Sequence, residues 1–127
     1  MLVLIEEGLR LFKEENIPQV LPILPLMTTV IFPQGISTLE VGFQKNLNLI
    51  EDHSAPDTLI GLALTSASDI ETVFPDTLSK MGVAAKIIKT FTLPDGTVKV
   101  TLQGLKRIKI EGFSQIQPYF VAKIKVL

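Results

Sequence analysis

The stretch TFTLPDGTVKVTL, residues 90–102, decides the fold because it joins the ends of two β-strands through a tight turn. Asp95-Gly96 is a pair that favours tight hairpin turns, since glycine takes a positive φ without strain. Val83–Thr92 before the turn and Val98–Leu102 after it have strand patterns, and the second alternates as a strand with one buried face does. The sequence therefore predicts a hairpin in which Pro94, Asp95 and Gly96 have a structural rather than a catalytic role.

Strand patterns continue on both sides of this hairpin. Ile108–Phe113 and Tyr119–Val126 follow it, while Ser37–Val41 and the apolar run Thr58–Thr65 precede it, and the run is typical of a strand buried on both faces. Six or seven short strands without βαβ repetition predict a mainly β fold with some α, a small antiparallel barrel or pseudobarrel of about six strands. Its last three strands are expected to share one apolar face, made of Val98, Val100, Leu102, Ile108, Ile110, Ala122, Ile124 and Val126, opposite a basic face made of Lys99, Arg107, Lys109, Lys123 and Lys125.

Two segments have the spacing of amphipathic helices. Phe43–His53 places Phe43, Leu47 and Ile50 on one stripe, which predicts a helix between the early strands. Leu4–Glu15 has apolar residues at similar intervals. We therefore expect residues 1–17 to be a helical extension and residues 18–127 to be one barrel domain.

Prolines at positions 18, 22, 25 and 33 interrupt the segment that leads into the barrel. Because proline has no N–H to donate, this spacing predicts that Ile23–Phe32 is an edge or first strand reached by an extended lead-in, and an unpaired edge is expected near Pro22–Phe32. Ser66–Ser79 is an acidic loop that contains Val73 and Phe74. Both segments are candidate contact surfaces for a partner.

Composition narrows the class of protein. The chain has 127 residues, a net charge of −1 and no cysteine, which indicates one domain and excludes disulfides and thiol catalysis. A mean hydropathy of +0.41 with 20% charged residues indicates apolar surface kept for a partner. The charge is split, −7 over residues 1–80 and +6 over residues 81–127, which favours association. No apolar stretch approaches the length of a membrane span, so no membrane partner is expected.

Sequence signatures of catalysis are absent. No glycine precedes a lysine, which excludes a phosphate-binding loop, and neither a GxGxxG nor a GxSxG motif occurs. His53 is the single histidine, and no cluster of potential metal ligands stands near it in the sequence. We expect no catalytic residue, no bound cofactor and no metal in this chain, and no enzymatic activity from this chain alone.

Several motifs, in order and spacing over residues 22–127, resemble the amino-terminal domain of Lon, the ATP-dependent protease. The LPDGTxKV and GLxRxxI block is the most specific part of the resemblance. The motifs are Ile23-Leu24-Pro25-Leu26, Val30-Ile31-Phe32-Pro33, Val41-Gly42-x-x-Lys45, Met81-Gly82-Val83-Ala84-Ala85-Lys86-Ile87, Leu93-Pro94-Asp95-Gly96-Thr97-Val98-Lys99-Val100, Gly104-Leu105-x-Arg107-Ile108-Lys109-Ile110 and Pro118-Tyr119-Phe120-x-Ala122.

The resemblance implies a PUA-like barrel that recognises unfolded or degron-bearing proteins and helps to organise a hexamer of Lon subunits. The parent implied is an ATP-dependent serine endopeptidase of protein quality control, whose ATP and magnesium site and Ser-Lys dyad belong to other modules. The implied compartment is a bacterial-type cytoplasm, or an organelle matrix in a eukaryote. Because the alternating pattern is still in progress at Leu127, we expect this chain to be part of a longer protein.

Two departures from the family pattern add apolar surface. Met27, Thr28 and Thr29 stand where the family usually has Arg and an acid or Asn, and Phe43 stands where an Arg is expected. Ion pairs that the family makes at those positions are therefore in doubt here.

The candidate substrate-binding residues lie at the start of the middle helix and in the acidic loop. The resemblance implies the helix start, whereas the loop is a candidate for its apolar residues. Two alternatives stand beside this interpretation: Phe43 can head the buried stripe of the helix, and the loop residues can simply anchor the loop. The candidates are Phe43, Gln44, Lys45, Asn48, Val73 and Phe74.

Two other functions stay open at this point. A free-standing Lon-domain adaptor or receptor without an ATPase would contain the same barrel. An RNA-binding barrel would use the basic strand face and would bind in a salt-sensitive way. That face is mostly lysine and lacks interleaved aromatic residues, so nucleic acid is not the favoured partner.

Overall fold

The structure is a computed structural model that describes residues 16–27, 31–67 and 73–127. The predicted helix at Leu4–Glu15 lies outside the described residues. A 3-10 turn at Pro75–Thr77 separates the early elements from the long strands. The elements in chain order are β1 (Val20–Leu26), β2 (Ile36–Val41), α1 (Gln44–Asp52), β3 (Leu59–Leu64), β4 (Met81–Thr92), β5 (Val98–Gln115) and β6 (Phe120–Val126).

The six strands form one sheet in the order β2-β5-β4-β3-β1-β6. β5 is long enough to pair with β2 through its first half and with β6 through its second half. Through the second pairing, strands β5, β4, β3, β1 and β6 close into a loose ring. The pairs are antiparallel except β1 with β3, which is parallel. The predicted small, mainly antiparallel barrel with a helix between early strands is confirmed.

The turn between β4 and β5 has the predicted geometry. Gly96 has a φ of 92°, and its N–H donates to the Leu93 oxygen at 3.0 Å. Asp95 Oδ1 accepts the Thr97 hydroxyl at 2.6 Å and the Thr97 N–H at 3.1 Å. These hydrogen bonds, led by the one from the Thr97 hydroxyl, lower the pKa of the Asp95 carboxyl because they favour its charged form.

β1 is the first strand, which agrees with one of the two predictions for this segment, but it is central in the sheet, so the unpaired edge predicted near Pro22–Phe32 is wrong for the described strand. Val20–Ile23 pairs with β6, and Ile23–Leu26 pairs with β3. The Pro22 nitrogen points toward β3, but the pairing of β1 with β3 begins only at Ile23. The Pro25 nitrogen points toward β6, but the pairing of β1 with β6 ends at Ile23. Neither proline therefore removes a hydrogen bond between strands. Within the described residues the open edge belongs to β2, which pairs with β5 only.

The buried side chains form two clusters on opposite faces of the curved sheet. One packs against α1 and contains Val100 and Leu102, and the other lies inside the ring and contains Ile108 and Ile110. The register shift near Gly104 places an extra residue in β5. Even-numbered side chains before the shift and after it therefore point to opposite faces of the sheet. The expected single apolar face of the last three strands is therefore wrong.

β3 contributes to both clusters. Ile60 and Leu62 belong to the cluster against α1, and Ala63 belongs to the cluster inside the ring. The prediction of a strand buried on both faces is confirmed. α1 is consequently fixed on the outside of β1 and β3, which brings its first turn to the end of the ring where β1 ends and β6 begins.

Candidate functional site

Candidate residues from two distant parts of the sequence meet in one groove. The groove has a volume of about 470 Å³ and lies between the start of α1 and the segment before the 3-10 turn. Five of the six candidate residues line it, and Asn48 does not. The lining residues are Pro25, Gly42, Phe43, Gln44, Lys45, Asn46, Val73, Phe74, Gln117 and Phe120.

Phe43 presents its ring at the groove rather than to the core. It is the residue before α1, with an extended backbone, and its side chain is 42% exposed. The buried residues of α1 are Asn46, Leu49 and Ile50. The alternative in which Phe43 heads the buried stripe is therefore wrong, because that stripe begins three residues later.

Val73 and Phe74 have different roles. Val73 is only 4% exposed and packs in the cluster inside the ring, so the loop-anchoring alternative is correct for this residue. Phe74 is 54% exposed. Its backbone is nonetheless held in place, since its N–H donates to Thr77 Oγ1 at 3.0 Å and its oxygen accepts the Thr77 hydroxyl at 2.9 Å.

Lys45 supplies the positive charge of the groove. Its ammonium lies 4.4 Å from the centroid of the Phe120 ring, a cation–π contact, and partial burial lowers the pKa of Lys45. Phe120 is fully buried and meets Phe113 edge to face at 5.6 Å. The Lys45 side chain is thus held on a rigid aromatic surface.

Asn48 positions α1 instead of lining the groove. Its Oδ1 accepts the Gln44 amide at 2.8 Å, and its Nδ2 donates to the Pro118 oxygen at 3.3 Å. These two hydrogen bonds link α1 to the connection between β5 and β6 and hold the Gln44 side chain at the rim of the groove. The sequence-based candidates did not include five lining residues, Pro25, Gly42, Asn46, Gln117 and Phe120, although Pro25, Gly42 and Phe120 fall in the family motifs.

The groove is suited to binding rather than to bond cleavage. Lys45 is the single ionisable residue among the described residues of its lining, and none of these residues places a base beside a nucleophile. The described residues contain no group of three His, Cys, Asp or Glu that would hold a metal ion. His53 Nε2 lies 3.2 Å from the Tyr119 hydroxyl, away from the groove lining. Aromatic rings, amides and one ammonium together fit an apolar peptide segment with exposed backbone carbonyls.

The predicted basic face is not one continuous patch. Lys109 and Lys125 are direct cross-strand neighbours on β5 and β6, and Arg107 and Lys123 lie on the adjoining positions of those strands. Lys99 is ten residues away on β5, opposite Glu40, with which it forms an ion pair at 4.0 Å. A single five-cation face is therefore a wrong expectation, and four of the cations remain grouped.

Among the described residues, no helix is both long and apolar enough to cross a bilayer.

A family model and individual relatives identify the same protein family. Residues 20–127 match the family model described as the ATP-dependent protease La (LON) substrate-binding domain. A Lon protease of Dictyoglomus thermophilum is 37% identical over 121 residues, which cover 95% of this chain and 15% of the relative. A Lon protease of Cytophaga hutchinsonii is 39% identical over 123 residues, 96% of this chain and 15% of the relative.

Solved structures agree on the fold. The crystal structure of a Lon N-terminal domain protein from Xanthomonas campestris matches with a TM-score of 0.62 at 19% identity, over 86% of this chain and 60% of that one. The N-terminal domain of a Mycobacterium avium complex Lon protease matches with a TM-score of 0.63 at 14% identity, over 85% of this chain and 54% of that one.

The chain spans about 15% of the length of the Lon proteases it matches, and the part that it spans is the substrate-binding domain and not the catalytic domain. With the barrel, the motifs and the relatives in agreement, the chain belongs to the family of Lon protease substrate-binding domains.

Proposed function

We propose that this chain binds unfolded and degron-bearing protein segments through the groove between α1 and Phe74. The observation that carries the proposal is the composition of that groove: two exposed phenylalanine rings and one ammonium on a rigid aromatic floor, with no carboxylate among the described residues that line it. Exposed apolar side chains distinguish unfolded from folded proteins, and a shallow groove binds them without sequence precision.

Different residues of the groove bind different parts of the substrate. Phe43 and Phe74 remove apolar side chains of the substrate from water. Gln44 and Lys45 donate hydrogen bonds to backbone carbonyls, which every extended segment presents. The donors bind backbone carbonyls, which do not depend on sequence, and the rings bind any apolar side chain. The groove therefore accepts many sequences with modest affinity.

In the whole protein, the domain acts as the substrate-recognition and assembly part of an ATP-dependent Lon-type serine protease. That protease degrades misfolded and selected regulatory proteins in the cytoplasm and works as an oligomer of Lon subunits. ATP and magnesium act in its ATPase module, and peptide bonds are cut in its protease module. Support comes from the matched family and from relatives that are Lon proteases.

Binding to an unfolded protein and to RNA, measured side by side, tests the proposal. Fluorescence anisotropy of the domain with labelled, reduced and carboxymethylated α-lactalbumin should show saturable binding that changes little with salt, because apolar contacts dominate. The folded, oxidised lactalbumin is the matched control and should not bind. Steeply salt-dependent binding of an unstructured RNA, with no binding of the unfolded protein, would instead favour the grouped cations of β5 and β6 as the functional surface.

A further inference from the structure

The open edge of β2 lies next to the groove along the chain. β2 ends at Val41, and the two residues that follow it, Gly42 and Phe43, line the groove. Consecutive Cα atoms are about 3.8 Å apart, so the end of the edge lies within roughly 8 Å of the Phe43 backbone. An extended segment bound at Phe43 can therefore continue along β2.

We propose that an extended segment of the unfolded protein in the groove continues along β2 and pairs with its open edge as an added β-strand. This inference rests on the proposed function of the groove and adds a second part to the same binding surface. The groove binds apolar side chains of the substrate, and the edge of β2 binds both the N–H and the C=O groups of the substrate backbone.

The hydrogen bonds of β5 show which backbone groups of β2 face outward. The Gly104 N–H donates to the Gly35 oxygen at 2.8 Å, so Gly35 faces β5. The register that begins there continues without a break through β2. Because residues of an antiparallel strand alternately face the partner strand and face away from it, Ile36, Thr38 and Glu40 face away from β5.

These outward groups have no strand partner within the described part of the chain, where β2 pairs with β5 only. Ile36, Thr38 and Glu40 therefore present three N–H and three C=O groups to a further strand. The side chains of the same residues are exposed, that of Ile36 to 65%. An extended segment presents complementary groups at the same spacing, about 3.4 Å per residue, whatever its sequence.

β2 lacks the features that usually prevent an edge strand from pairing with another chain. Such strands commonly contain proline, lysine or a bulge. β2 has the sequence ISTLEV, without proline or lysine, and its pairing with β5 has no register shift. Its one charged residue, Glu40, forms an ion pair with Lys99 of β5 at 4.0 Å. The edge is consequently suited to accept a strand.

A second copy of this chain fits the edge less well than an unfolded segment does. The antiparallel alignment that pairs the most residues of two β2 strands is centred on Thr38 and places Glu40 opposite Ile36 of the second copy. Cross-strand pairs stabilise a sheet when their side chains match, and a carboxylate does not match an aliphatic side chain. An unfolded segment has no fixed sequence and can place an apolar residue opposite Ile36.

Exchange of backbone N–H groups with water tests the pairing. In the free chain, magnetisation transfer from water should show fast exchange at Ile36, Thr38 and Glu40 and slow exchange at Leu39, which faces β5. Saturating reduced, carboxymethylated lactalbumin should slow the three outward amides about tenfold or more. The amide of Ser54, which is exposed beyond the end of α1, is the control and should keep its rate.

Two variants at one position test the contribution to affinity. Thr38→Pro removes an outward N–H without removing a hydrogen bond to β5. Thr38→Val also lacks the hydroxyl, which contacts Thr101 Oγ1 at 3.1 Å, but retains the N–H. The lactalbumin should bind Thr38→Pro about fivefold more weakly than Thr38→Val. If Thr38→Pro does not fold, the exchange rates of the unchanged chain decide the question alone.

The outcomes separate this inference from the proposed function. Lactalbumin binding that shifts the groove residues but leaves the three outward amides at their free rates would overturn the inference and leave the groove as the binding site. No binding at all would overturn both. Outward amides that are already slow in the free chain would mean that the chain itself covers the edge. Rates that fall as the chain is concentrated without lactalbumin would mean that a second copy covers it, and either result would overturn the inference.

Discussion

Phe74→Ser should weaken the binding of unfolded proteins about tenfold. A phenylalanine offers roughly 200 Å² of surface, so a ring that is 54% exposed leaves about 110 Å² for a partner to cover. Full coverage at about 25 cal/mol per Å² is worth about 2.7 kcal/mol. A segment that covers one side of the ring gains about half of this, roughly 1.4 kcal/mol, or a factor of ten in Kd.

The same substitution should leave the fold intact. More than half of the Phe74 side chain is exposed, and the hydrogen bonds to Thr77 involve the Phe74 backbone, which serine retains. The free energy of unfolding should therefore change by about 0.5 kcal/mol or less. Charge reversal at Lys45, which we also expect to weaken binding, is a less clean test because it removes the cation–π contact with Phe120, worth about 0.5–1 kcal/mol.

Phe91→Ser is the matched control for this experiment. Phe91 is 64% exposed, but it lies on β4 opposite Lys99 and does not line the groove. Anisotropy titrations with the reduced, carboxymethylated lactalbumin should give a raised Kd for Phe74→Ser and an unchanged Kd for Phe91→Ser, with urea unfolding measured on both. Equal affinities for the two variants, or an equal loss in both, would refute the assignment of binding to the groove.

The remaining predictions concern the turn and the chemistry of the chain. Gly96→Val should lower the free energy of unfolding by about 1 kcal/mol or more, because Gly96 has a φ of 92°, while Gly112→Val, also in open space but without a positive φ, should cost little in the same urea titration. Asp95→Asn should destabilise the domain at neutral pH, because the pKa of Asp95 is lowered in the folded state. The contribution of the Asp95 carboxylate to the free energy of unfolding is present above the ordinary pKa of 3.8 and is lost as the pH falls through the folded pKa. Urea titrations at neutral and acid pH should therefore show a difference between Asp and Asn that shrinks in acid. The purified chain should hydrolyse neither ATP nor casein, and casein cleavage that survives removal of contaminants would contradict this.

Local sequence signals predicted the parts of the fold that depend on near neighbours. The Asp95-Gly96 pair determines its turn through the backbone of glycine, and the Thr58–Thr65 run needs two apolar faces wherever it is placed. The wrong prediction for β1 has a nonlocal cause. Whether Pro22 and Pro25 remove hydrogen bonds depends on where β3 and β6 stop pairing, which is not visible in the prolines themselves.

The β5 prediction failed for a similar reason. Val98, Val100, Leu102, Ile108 and Ile110 all stand at even positions, so the prediction assigned them to one face. Lys106, also at an even position, interrupts the alternation beside the extra residue near Gly104 that transfers these side chains from one cluster to the other. At the candidate site, sequence reasoning identified Phe43 and Phe74 separately. Their presence in one groove arises from the packing of α1 against β1 and from the buried Val73, which only the tertiary structure shows.

Chemical-shift mapping is the most direct test of the claim that the groove binds unfolded proteins. The isotope-labelled chain would be titrated with reduced, carboxymethylated lactalbumin while its amide signals are followed. If the groove binds the unfolded protein, shifts should appear at Phe43–Lys45, Phe74 and Phe120, with the fold unchanged elsewhere. Shifts confined to Lys99, Lys109 and Lys125, with none at the groove, would contradict it.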